Sequence, residues 1–102
     1  MKKSYILSST PEYDEWENSQ TKKDQHQIAK RLALIQEEGH FGDHKSVSDD
    51  NLLWELRWRN GRRVYYSHIK ESNVLVILGG SKNGQEKDIA RAGKILTKRR
   101  WG

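Results

Sequence analysis

The chain predicts an α+β fold. It should be a small antiparallel-rich sheet with an N-terminal helical hairpin and a C-terminal helix, in the order β-α-α-β-β-β-α. Three observations carry this prediction. Residues 52–59 (LLWELRWR) alternate strictly, with Leu52, Trp54, Leu56 and Trp58 on one face and Leu53, Glu55, Arg57 and Arg59 on the other, the period of a half-buried strand. Asn60-Gly61 follows as a hairpin signal, before a second strand over 62–69. Two other stretches, around 25–35 and 89–96, repeat their apolar residues every three or four positions, as amphipathic helices do.

In chain order, residues 2–9 (KKSYILSS) form a short strand, with Tyr5 and Leu7 on one face and Ile6 on the other. Thr10-Pro11 starts a helix, since Thr caps well and Pro suits the first helical position. Glu12, Asp14 and Glu15 stand where the helix dipole favours negative charge, and Tyr13 and Trp16 are its buried side. That helix ends near 18–19. A second runs over about 21–38, its stripe drawn by Gln25, Ile28, Ala29, Leu32 and Ile35 and widened by Leu34. Gly39 stops it. Residues 39–51 read as a polar loop with Phe41 as one buried candidate. After the hairpin, VLVILGG (74–80) is a continuous apolar run, as in a central strand covered on both faces. A loop at 81–84 leads to a last helix over about 85–99, which buries Ile89, Ala92, Gly93 and Leu96.

At 102 residues the chain is long enough for a single domain with one core. Hydrophobic residues make up only 33% of it, so four Trp and four Tyr must supply much of the buried area. The absence of cysteine excludes a disulfide scaffold and a thiolate zinc site. His40 and His44 lack a third ligand, so neither a metal nor another cofactor is expected. No apolar run approaches a membrane span, and the N-terminus lacks a signal-type apolar region; a cytoplasmic protein with no membrane partner is the expectation. Charge is unevenly distributed. Residues 1–51 carry a balance of −3 and residues 52–102 one of +8. A one-sided positive field suits an anionic partner, above all nucleic acid, and equally serves to keep a small domain soluble.

The register of the hairpin decides which charges stand together. A two-residue turn at Asn60-Gly61 would set Arg57 opposite Val64. A three-residue loop, Arg59-Asn60-Gly61, pairs Arg57 with Arg63, Glu55 with Tyr65, Leu56 with Val64 and Trp54 with Tyr66. The longer loop keeps apolar residues on one face and collects Glu55, Arg57, Arg63 and Tyr65 on the other, as a charged working face. Segregation of this kind sets register where one face is buried, so the three-residue loop is predicted.

Three blocks resemble the RelE/ParE superfamily of type II toxins, and within it the HigB-like addiction module killer branch. GHFGDHKSV (39–47) is similar to that branch's loop after the second helix, with Gly39, Gly42, Asp43, Lys45 and Val47 in register. WELRW (54–58) and GRRVYY (61–66) resemble its central hairpin, and LGGSKNGQEKDIARA (78–92) its GG-x-K-x-x-Q-x-x-DI-x-x-A segment. Gly84 departs from the usual Ser or Thr, and the hairpin loop is shorter than usual.

The resemblance implies a RelE-like fold and a ribosome-associated mRNA endonuclease, neutralised by a helix-turn-helix antitoxin of the HigA kind. Operator DNA would be met only through that antitoxin. RNA carries its own nucleophile, the 2′-hydroxyl. Metal-independent cleavage therefore needs a base, cations for the developing phosphorane charge and an acid for the leaving oxygen. Arg57 and Arg63 would clamp phosphate oxygens, and Lys82 falls where related toxins place a basic active-site residue. Glu55 is the one carboxylate on the face, either a base or an ion partner of the arginines. Tyr65 would stack on a base, transfer a proton, or pack at the sheet edge. Lys45, Arg59, Arg62 and Gln85 are expected to bind substrate. Gln85 and Asp88 also fit as caps of the last helix, and Trp54, Trp58 and Trp101 as core or antitoxin contacts. Two other functions remain open: a ParE-like inhibitor of DNA gyrase that cuts nothing, and a nucleic-acid-binding module without catalysis.

Overall fold

The computed structural model describes residues 4–101, and the side chains of residues up to 99. Lys2 and Lys3 of the expected first strand, and the Trp101 side chain, lie outside the described residues. The elements are β1 (Ile6–Ser9), α1 (Pro11–Asn18), α2 (Lys22–Glu38), β2 (His44–Ser46), β3 (Trp54–Arg57), β4 (Arg62–Lys70), β5 (Asn73–Ser81), a 3-10 turn (Lys82–Gly84) and α3 (Gln85–Trp101). They build a five-stranded mixed sheet in the order β1-β5-β4-β3-β2, in which β1 runs parallel to β5 and the other neighbours are antiparallel. One expectation is corrected here. The polar loop after α2 contains a strand, β2, so four strands rather than three lie between the helical pair and α3.

The helix boundaries follow from their caps. Thr10 Oγ1 accepts the Tyr13 amide at 3.0 Å while Pro11 opens α1, and Thr21 Oγ1 accepts the Asp24 amide at 3.1 Å at the start of α2. Gly39, with φ 65°, closes α2, and its amide donates to the Ile35 carbonyl. A side chain there would be strained, because this left-handed conformation suits glycine.

Both faces of the sheet are buried. On one, Tyr13 and Trp16 of α1 and Leu32 and Ile35 of α2 pack against Leu56, Val64, Tyr66, Val74 and Val76. On the other, Ile89, Ala92 and Leu96 of α3 cover Leu53, Tyr65, Leu75, Ile77 and Leu78. Side chains alternate along β5 until a bulge. Tyr65 pairs with Leu78 but Tyr66 with Val76, so Ile77 is the extra residue, and both Ile77 and Leu78 turn toward α3. The buried Thr10 hydroxyl donates to the Ile77 carbonyl, which gives this carbonyl at the bulge a partner.

Trp54, Leu56 and Trp58 share the α1/α2 face as the alternation requires, but Leu52 packs on the α3 side with Leu53. The alternating face that carries Glu55 is therefore not an open charged surface. It is a second core face, apolar at one end and polar at the other.

Candidate active site

The hairpin loop builds the polar end. The Gly61 amide donates to the Trp58 carbonyl at 3.1 Å, and the Trp58 amide to the Arg62 carbonyl at 3.1 Å. This is a three-residue loop of Arg59, Asn60 and Gly61, with Gly61 at φ 95°. The resulting pairs are Trp54–Tyr66, Glu55–Tyr65, Leu56–Val64 and Arg57–Arg63, the register that segregation predicts. Lys45 of β2 stands opposite Glu55 on its other side. Gly80 stands opposite Arg63.

Glu55 is the hub. It is wholly buried, and its carboxylate accepts two contacts from Gln85 Nε2, at 2.9 and 3.2 Å. Arg57 Nε lies 3.4 Å and Arg63 Nε 3.8 Å from Glu55 Oε1. The two arginines differ in what they have free. Arg63 is 7% exposed and donates through Nη1 to the Trp58 and Arg62 carbonyls, so it also braces the hairpin end. The Arg57 side chain is 38% exposed and keeps part of its guanidinium toward solvent. Lys82 is fixed at the same end of the sheet. Its amide donates to the Gly61 carbonyl at 2.7 Å, and its side chain runs along Gly61, where a Cβ would lie 3.3 Å from Lys82 Cγ.

Tyr65 is fully buried, and among the described residues its hydroxyl has no hydrogen-bond partner. Burial, then the charges of Glu55 and Asp88, hold its phenol well above the ordinary tyrosine range, with Arg63 opposing them. It offers no ring face for stacking, and it lies in an interior strand rather than at the sheet edge. Asp88 of α3 lies directly over Gly80, with Oδ2 only 2.0 Å from where a Cβ would be. Burial raises its carboxyl above the usual range, against the lowering influence of Arg91.

The structure thus brings together Glu55, Arg57, Arg63, Tyr65 and Gln85, with Lys45 and Lys82 at their borders. Gln85 is a ligand of Glu55 rather than a helix cap. Arg59 is exposed in the turn. The expected substrate contact of Arg62 is corrected: Arg62 points to the opposite face, is 7% exposed, and pairs with Asp24 at 2.8 Å and Gln27 at 3.3 Å on α2. Alternation alone would have separated Arg62 from Arg63; its partner on a distant helix gave no local signal.

Sequence reasoning missed Arg31. From α2 its guanidinium donates to the carbonyls of Phe41, Asp43 and Arg57 and lies 4.3 Å from the Trp58 ring centroid. It ties the start of β2 to the end of β3, the edge of the sheet on which Lys45 stands. Among the described residues, no group of three or more His, Asp or Glu side chains is placed to hold a metal ion.

Chemically, the site is a buried carboxylate that orients two guanidinium groups, rimmed by cations open to solvent. Such an arrangement can bind and stabilise an anionic group at the sheet end.

No protein-family model matches the chain. A Haemophilus influenzae protein described only as uncharacterised is 35% identical over 96 residues, spanning 88% of this chain and 90% of its own. Among solved structures, a chain of the intact E. coli RelBE toxin–antitoxin complex aligns with a TM-score of 0.59 at 20% identity, covering 76% of this chain and 96% of that one. A conserved hypothetical protein from Helicobacter pylori, solved in solution, aligns more loosely, with a TM-score of 0.49 at 12% identity over 79% of this chain and 98% of its own. The fold is RelE-like, and by identity and coverage the chain belongs to the same family as the Haemophilus influenzae protein.

Proposed function

We propose that the chain is the toxin of a type II toxin–antitoxin pair, of the HigB-like branch of the RelE/ParE superfamily, and that it cuts mRNA on the ribosome in the cytoplasm. Its antitoxin would be a helix-turn-helix protein of the HigA kind, and operator DNA would be reached only through that partner. The single observation that carries the reading is the Glu55 cluster, which aims Arg57 and Arg63 at the end of the sheet where Lys82 is anchored.

In the proposed reaction the 2′-oxygen of the RNA bonds to the neighbouring phosphorus and gives up its proton to solvent water. The bond from phosphorus to the 5′-oxygen breaks, and that oxygen takes up a proton from water. No metal is used. Arg57, Arg63 and Lys82 offset the charge that develops on the phosphoryl oxygens, the largest contribution such a site makes. Glu55 is a positioning residue in this scheme, because its oxygens are already engaged by Gln85 and the arginines and are shut from solvent. Gln85 acts through Glu55, and Lys45 and Arg59 draw in the RNA backbone.

The test is translation in an extract or in induced cells. The chain is expected to arrest it, and Arg57→Ala with Lys82→Ala to relieve the arrest while the circular dichroism of the fold is unchanged. Full arrest by the double variant would sink this assignment of the site.

A further inference from the structure

The outer side of α3 carries a row of cations that the reaction does not use. Lys87, Arg91, Lys94 and Lys98 are spaced 4, 3 and 4 residues apart, so they share one helix face. All four are exposed, and that face lies opposite the Ile89, Ala92 and Leu96 side buried against the sheet. The row is about 16 Å long at 1.5 Å per residue. No Asp or Glu interrupts it; the acidic residues of α3, Glu86 and Asp88, fall to either side. Among the described residues none of the four cations makes an ion pair, although Arg91 lies close enough to Asp88 to oppose the rise of its carboxyl.

This row is costly to the helix. Three neighbouring like-charge pairs each destabilise it by a few tenths of a kcal/mol, and Lys87 stands in the first turn, where the dipole disfavours a cation. A face that served only solubility would gain by interleaving glutamates. The row also starts at the candidate site. Lys87 and Lys82 line an open cleft of about 730 Å³ whose one carboxylate is Glu86 and whose other walls are Asn83, Gly84, Gln85 and Ile89, and Gln85 is the ligand of Glu55.

We infer that the outer face of α3 is a track for the phosphate backbone of single-stranded RNA, on which the strand entering the candidate site is held by Lys87, Arg91, Lys94 and Lys98. The inference rests on the RNA-cleaving reading above and adds a binding surface to it. A protein partner fits this face less well, because protein interfaces are anchored by buried aromatic and apolar residues, and the row itself offers none. Long flexible ammonium groups on a convex helix suit phosphates, which need charge but no shaped pocket.

The test uses the full chain and a fluorescent 2′-O-methyl oligoribonucleotide, whose blocked nucleophile prevents cutting. Affinity is measured across a range of salt concentrations. Each phosphate contact contributes about 0.7 to the slope of log affinity against log salt, so K87Q/K94Q/K98Q is expected to make the slope shallower by about 2. Lys22, Lys23 and Lys30 of α2 are also exposed, and K22Q/K23Q/K30Q, with the same change in net charge, is expected to leave the slope as it was. Equal effects of the two triple variants, or none from the first, would overturn the inference. So would an α3 variant that keeps its RNA slope but no longer binds a protein partner. Because the oligonucleotide cannot be cut, a chain that arrests no translation yet shows the slope difference would sink the reading of function and leave the track standing.

Discussion

Gln85, the first residue of α3, reaches back 2.9 Å to the buried carboxylate of Glu55 on β3. This contact ties the closing helix to the hairpin at the point where Arg57 and Arg63 also converge. It makes Glu55 the joint between the fold and the candidate site. It also makes the two residues unequal, since one is a neutral ligand and the other, among the described residues, the sole negative charge that Arg63 is paired with.

Glu55→Gln is therefore expected to cost more stability than Gln85→Ala. The first leaves the buried Arg63 guanidinium without a counter-charge, a loss of about 3 kcal/mol. The second removes a hydrogen bond to a charged group, about 1.5 kcal/mol. Chemical denaturation of both variants checks the order. A larger loss in Gln85→Ala would show that Arg63 does not depend on Glu55.

Gly79→Ala is expected to destabilise the fold by about 1–3 kcal/mol through overpacking. The Trp16 ring packs against Gly79, and an added Cβ would come within 2.2 Å of its ring carbons. With Trp16→Ala already in place the methyl group has room, so the two substitutions should be strongly non-additive in a double-mutant cycle. Additive losses would place the strain elsewhere.

Asp88 gives a pH dependence with a definite sign. Its carboxyl binds a proton more tightly in the folded chain than in the unfolded one. The stability this provides is full below the ordinary aspartate range and is lost as pH rises through the folded-state value. Asp88→Asn, which carries no titrating proton, should gain stability relative to the natural chain as pH is raised from about 3 to 7. Thermal melts across that range read the difference. A relative stability that falls with rising pH would mean that a cation, not burial, governs Asp88.

Much of this was legible before any coordinates. The strict alternation of 52–59 and the glycine at 61 point to the hairpin, because of the two- and three-residue loops only the longer keeps Leu56 and Val64 on the same face. Thr10-Pro11, Thr21 and Gly39 mark helix ends through local chemistry, and local chemistry is what a sequence displays. What was not legible depends on partners distant along the chain. β2 is three residues in a polar loop, and Arg31 ties it into the sheet edge from a helix. Arg62 looked like a free cation until α2 brought Asp24 beside it. The burial of Glu55 and Tyr65 on the charged face was not legible for the same reason: it depends on where α3 lies.

The central claim is that the chain cuts mRNA on the ribosome, and primer extension on ribosome-bound mRNA tests it most directly. On induction of the natural chain, new 5′ ends are expected inside the reading frame, and Arg57→Ala with Lys82→Ala should abolish them. Intact mRNA in cells that the chain has arrested, above all with DNA supercoiling blocked, would contradict the account and point to a gyrase-type target.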